Sequence, residues 1–149
     1  MHYGSCIQGE NRMLKRPFIA VVVIFIAWSL LDFVIHGLLL QETYEATASL
    51  WRPMEEMNMT LMYIVTLAYT VCFVAIYDVF VSQKSVTTGI KYGALFGLAA
   101  GISMGFGSYT FMPIPWYLAL SWFTGTLVES IVAGALAGAI IKQSDDRSV

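Results

Sequence analysis

Residues 17–40 read PFIAVVVIFIAWSLLDFVIHGLLL, an apolar run broken only by Ser29, Asp32 and His36. A helix of about 20 apolar residues covers the roughly 30 Å of hydrocarbon in a bilayer. A helix on the surface of a soluble domain would show a polar stripe, and this run has none. Working outward, three more apolar runs follow at residues 59–81, 88–108 and 114–141. Their separators suit turns: 82–87 is polar, and Pro113 and Pro115 stand close together before the last run. Backbone in hydrocarbon must satisfy its own hydrogen bonds, so these runs are helices. The expected fold is all-α, a polytopic membrane protein with four transmembrane helices. Composition agrees: of 149 residues 58% are hydrophobic and 12% charged, against about 25% charged in soluble domains. That balance excludes an ordinary soluble domain, a disordered chain and a nucleic-acid binder.

Orientation follows from the eight Lys and Arg residues. Arg12, Lys15 and Arg16 precede the first run, Lys84 and Lys91 flank the second connection, and Lys142 and Arg147 follow the last run. Four crossings put all seven on one side and leave Arg52 alone on the other. The excess of positive charge marks the cytoplasmic side, so both termini are expected there, in a bacterial inner membrane. The chain then divides into a polar cytoplasmic tail 1–16, a transmembrane domain 17–141 with an outer loop 41–58, and a tail 142–149. Lys15-Arg16 ahead of an apolar stretch has the form of a signal peptide, but the apolar core is too long and Ala46-Thr47-Ala48 lies beyond it. In the outer loop, Pro53 followed by Glu55 and Glu56 predicts a helix start that carries the second span one or two turns outward.

The third run contains a ladder: Gly89, Gly93, Gly97, Gly101 and Gly105 recur every four residues. Such a stripe lets a neighbouring helix approach closely, and the spacing favours a right-handed crossing. The fourth run offers a partner in Ser121, Gly125, Glu129, Ala133 and Ala137, with Ser130, Gly134 and Gly138 beside them. One reading packs run three on run four within the chain. The other places the ladder at the seam of a homo-oligomer or a larger membrane complex.

Three acids lie inside the runs, each costly in hydrocarbon and so each a candidate functional position. Asp78 stands near the inner end, where Lys84 and Lys91 can neutralise it. Asp32 and Glu129 have no deep Lys or Arg. Asp32 and His36, four apart, share a helix face with Ser29 one turn back. Antiparallel spans put Glu129 roughly 6 Å inward of Asp32, from a rise of about 1.5 Å per residue. A polar cluster of Ser29, Asp32, His36 and Glu129 is expected, serving either to fix helix register or as a proton or cation relay. The three residues on one helix cannot converge as a hydrolytic triad.

Met54, Met57, Met59 and Met62 crowd the outer end of the second run. Thioethers are soft and select Cu(I), so Met54, Met57 and Met62 form a candidate copper site; methionine also fills gaps in apolar packing. No other cofactor is implied. Cys6 and Cys72 are expected at different depths and stand in no Cys-x-x-Cys pair. Phosphate-loop, His-Glu-x-x-His and Gly-x-Ser-x-Gly patterns are absent from the sequence.

Gly93-Ala-Leu-Phe-Gly97 in the third run, the aromatic-rich turn before Trp122, and Gly134-Ala-Leu-Ala-Gly138 in the fourth resemble small four-helix bacterial inner-membrane proteins of an uncharacterised family. The resemblance covers residues 88–141. A Trp-Tyr pair that it implies near the end of the first helix is replaced here by His36-Gly37. No activity follows from it. The first functional expectation is a non-enzymatic membrane protein, a packing or accessory subunit that is oligomeric or part of a larger assembly. The alternatives are a small transporter or proton- or cation-conducting component using Asp32, His36 and Glu129, and Cu(I) handling on the periplasmic side. The lipid bilayer is an expected partner, and no nucleic acid is expected.

Overall fold

The computed structural model describes the backbone of residues 3–141 and the side chains of residues 15–141. The tail 142–149, with Lys142 and Arg147, lies outside the described residues, as do the side chains of Cys6 and Arg12. Among the described residues the chain is helical, with no strand. Helix α1 (Tyr3–Asp32) continues as a π-helical segment over Phe33–Leu39, so the backbone of residues 3–16 belongs to the same helix as the first apolar run. A short helix α2 (Gln41–Ala46) and two single 3-10 turns, Ala48–Leu50 and Met54–Glu56, make up the loop. Then come α3 (Met59–Phe80), α4 (Val86–Gly101) with a second π-helical segment over Ile102–Gly107, and α5 (Trp116–Ile140).

Three of these helices are long and apolar enough to cross a membrane: Lys15–Leu39 within α1 and its continuation, Met59–Phe80, and Trp116–Ile140. Their outward faces are correspondingly apolar, with Phe18, Leu30, Val79, Phe80 and Val128 all exposed.

Contacts between neighbours show that the four long segments alternate in direction. Trp28 of α1 packs on Tyr69 and Phe73 of α3. Phe73 and Tyr77 of α3 meet Tyr92 of α4, and Gly89 and Gly105 of the third segment face Gly134 and Ala119 of α5. Trp28 Nε1 donates to the Glu129 backbone oxygen of α5 at 2.9 Å, closing the ring of helices. Two apolar cores result. One, around Ile24, Trp28, Phe73, Val74, Tyr77 and Ala133, fills the half of the bundle near the 81–85 turn. The other, around Leu40, Ile114, Leu118 and Trp122, sits under the 41–58 loop at the opposite end.

Local chemistry sets the helix ends. Asn58 Oδ1 accepts from Leu61 N at 2.9 Å and Ser85 Oγ accepts from Thr88 N at 3.1 Å, two side-chain N-caps. Here the structure corrects an expectation: α3 starts at Met59 behind the Asn58 cap. Pro53 instead adopts an extended conformation (φ −53°, ψ 146°) ahead of an isolated turn. The Asn58 side chain satisfies an amide that Glu55 and Glu56 cannot reach, so it wins the helix start.

Candidate functional site

The seam between α4 and α5 is built by removing side chains. A Cβ placed on Gly89 would overlap the Gly134 carbonyl oxygen, and one on Gly93 would overlap that of Ser130. A Cβ on Gly97 would stand 2.7 Å from Ser130 Cβ, and one on Gly101 2.9 Å from the Phe123 oxygen. Gly105 meets Ala119, and from the other side Gly134 meets Gly89 while Gly138 meets Ser85. All seven glycines of the sequence pattern therefore stand at one backbone-to-backbone contact inside the chain. Dispersion at that distance holds the pair where no hydrophobic drive between helices exists.

The opposite face of α4 is different. Towards the 81–85 end it meets α3 through large rings: Tyr92 lies 4.7 Å from Phe73, and Phe96 lies 4.9 Å from Phe73 and 5.5 Å from Tyr69, centroid to centroid. Tyr92 donates to the Phe73 oxygen at 2.8 Å and Tyr77 to the Ser85 oxygen at 3.1 Å, so this end is closed. Towards the loop end the rings stop and a cavity of about 740 Å³ opens between α1, α3, the third segment and α5. Trp28 and Tyr69 form its floor, Asp32, Thr66, Ser103, Ser108, Thr126 and Glu129 supply its polar wall, and Val65, Met104 and Phe111 line its apolar flank.

One of the two π-helical segments lines this cavity and the other starts beside it. Phe33–Leu39 follows Asp32 directly, and Ile102–Gly107 carries Ser103, Met104 and Gly107 of the lining. The wider π turn re-aims side chains, and such segments gather at functional sites.

The predicted polar cluster is distributed as follows. Asp32 and Glu129 both line the cavity, and their side chains are close enough to interact. Glu129 sits at the depth of Trp28, one turn inward of Asp32. Its Oε1 is buried without a hydrogen-bond partner. Ser29 is near in sequence but not in the lining, and its Oγ is likewise buried and unpartnered. His36 Nε2 stands 3.9 Å from Asp32 Oδ1, while Nδ1 turns away to the Tyr44 hydroxyl at 2.6 Å. The Tyr44 oxygen also accepts from Trp122 Nε1 at 2.8 Å. Every group is satisfied when Tyr44 donates to Nδ1, which leaves the His36 proton on Nε2, the side of Asp32. Burial holds the Tyr44 hydroxyl above its ordinary value and so keeps it a donor.

Tyr44 was not singled out in the sequence, and Trp122 only as part of an aromatic-rich turn. Tyr44 carries no motif, and it meets both His36 and Trp122 because α2 folds back over the bundle end, where Trp51 completes the cap by packing on the Tyr44 and Trp122 rings. Thr66, Thr70 and Thr124 bond to carbonyls of their own helices. Asp78 is paired with Lys84, as expected from their positions.

Comparison with known proteins adds no neighbour. No family model, curated protein or solved structure matches this chain. The site must be read from its own chemistry. Met54 lies in the 3-10 turn, Met57 in the extended stretch after it and Met62 in the first turn of α3, all three exposed. No group of three or more His, Cys, Asp or Glu side chains able to hold a metal ion occurs among the described residues.

Proposed function

We propose that the chain is a four-span, non-enzymatic membrane protein of the bacterial inner membrane, with both termini cytoplasmic, that admits a cation or proton from the outer face to Asp32 and Glu129. It acts as a small transport component. The observation that carries this reading is the unpartnered Glu129 carboxyl oxygen in the wall of a cavity that also holds Asp32. A buried polar group without a partner costs about 1–3 kcal/mol. An ionisable group kept inside a membrane-spanning segment is by default a candidate functional position. The third segment serves as the fourth span in this reading, since Val86–Gly101 and its π-helical continuation together match the length of α3.

The accessory-subunit reading draws its support from the glycine ladder. Those glycines already face α5 of the same chain, so they are spent before a second copy arrives. Cu(I) handling through Met54, Met57 and Met62 has less support, because the three thioethers stand on separate segments.

The test is flux in proteoliposomes. Under an imposed potential, the wild type is expected to move protons or a monovalent cation faster than empty vesicles, and Glu129→Gln to abolish the difference. Equal flux in wild type and Glu129→Gln would overturn the reading.

A further inference from the structure

The volume of the cavity and the character of its lining say more than that a positive charge is wanted. A volume of about 740 Å³ is the size of a small-molecule site, with room for more than a bare cation. No group of three or more His, Cys, Asp or Glu side chains that could hold a metal ion occurs among the described residues. The polar wall carries two carboxylic side chains, Asp32 and Glu129, and no Lys, Arg or His belongs to the lining. Hydroxyls from Thr66, Ser103, Ser108 and Thr126 complete that wall. The Glu129 and Asp32 side chains lie within hydrogen-bond reach of each other, and the buried Glu129 Oε1 accepts no hydrogen bond from any other described group. The floor is aromatic: the rings of Trp28 and Tyr69 lie 5.4 Å apart, tilted by 39°. Ring faces attract a desolvated cation by their quadrupole. The flank is apolar and continues onto the lipid-facing surface, where Val65, Met104 and Phe111 are exposed in the gap between α3 and the third segment.

We propose that this cavity binds an organic ammonium, a small amphiphilic amine whose N–H groups bond Glu129 and Asp32 and whose apolar part lies on Trp28, Tyr69 and Met104. This rests on the reading of the cavity as an outward-facing cation site, and names its ligand class. The ammonium supplies charged donors to Glu129 and Asp32. The carboxylates hold the charge, the rings replace its lost hydration, and the gap beside Phe111 lets the apolar part enter from the outer leaflet. A neutral alcohol of the same shape forfeits the charge-assisted hydrogen bonds, which are roughly twice as strong as neutral ones.

The experiment is equilibrium dialysis of benzylamine, largely charged at pH 7, against the full chain in lipid nanodiscs, with empty nanodiscs subtracted. Benzyl alcohol serves as the neutral isostere. Saturable binding of benzylammonium is expected, with benzyl alcohol at least about tenfold weaker. Glu129→Gln is expected to remove that preference, and Trp28→Phe to weaken both probes while keeping the core filled. Thermal unfolding of each variant verifies that it is folded. Equal binding of the two probes, indifferent to Glu129→Gln, would overturn the ammonium assignment and leave an apolar-ligand cavity. No binding of either probe would also overturn it. The broader reading then stands if wild-type vesicles still carry a Glu129-dependent proton or cation flux, and falls with it if they do not.

Discussion

Helix α4 has two faces that solve packing in opposite ways. On the α5 side, glycines bring backbones into contact and leave no space for a side chain, let alone a ligand. On the α3 side, Tyr92 and Phe96 wedge the helices apart against Phe73 and Tyr77. Where the rings end, the wedge leaves a cavity holding Asp32 and Glu129. Bulky rings at one depth and small residues at another thus produce a pocket without any loop or lid. The seam gives rigidity, and the divide gives room for chemistry.

The largest effect is expected at the seam. Gly93→Leu drives a side chain into the Ser130 carbonyl region of α5. Backbone cannot move aside as a flexible side chain would, so the cost should be about 3 kcal/mol or more, seen as loss of the folded species on thermal unfolding in detergent. Next is the loop-end cap. Tyr44→Phe leaves Trp122 Nε1 and His36 Nδ1 without their shared partner and should cost about 2 kcal/mol. The pH dependence has a definite sign. Burial raises the folded-state value of Tyr44 above the ordinary 10.0, so the unfolded chain loses its proton first. Stability contributed by Tyr44 is therefore present below the unfolded value and is lost as pH rises above it. The phenylalanine variant should lack that alkaline loss in melts followed across the range.

The divide should respond with the opposite sign. Glu129→Met removes a buried oxygen that has no partner and should leave stability unchanged or raise it by about 1 kcal/mol, while abolishing flux. Stabilisation joined to lost function separates a site from a structural hydrogen bond. The smallest effect is expected just off the seam. A Cβ on Gly107 would meet only Ile102 O at 3.8 Å and Ser103 Oγ at 3.9 Å. Gly107→Ala should therefore shift the unfolding free energy by no more than about 0.5 kcal/mol, two residues from Gly105, where the same change would strike Ala119.

Much of the frame was legible before any coordinates. Apolar run length locates the helices, because hydrocarbon thickness dictates it. The four-residue spacing of Gly89 to Gly105 marks a close approach, and the antiparallel order brings Asp32 near Glu129. The cavity itself was not legible, since it depends on where the rings of Phe73, Tyr92 and Phe96 stop, a property of three helices at once. His36 keeps its place beside Asp32, but its second partner was not legible, for a related reason. Four residues from Asp32, it reads as part of the buried cluster, but α2 folds back and captures its other nitrogen with Tyr44. A short polar helix after a long apolar one gives no sequence signal of where it will dock. The two π-helical segments are equally silent, because the extra residue in a turn is set by packing and not by composition.

Function in this reading requires the α3 side of the third segment to be open to water from the loop end and its α5 side to be sealed. Ser103 lines the cavity and Ser130 is buried at the seam, 1% exposed. In a background with Cys6 and Cys72 replaced, Ser103→Cys and Ser130→Cys are treated in intact vesicles of known orientation with a membrane-impermeant cationic thiol reagent. The account predicts rapid modification at position 103 from the loop side, slowed by benzylammonium, and none at position 130. Modification at position 130 as fast as at 103, or none at 103 from the loop side, would contradict it.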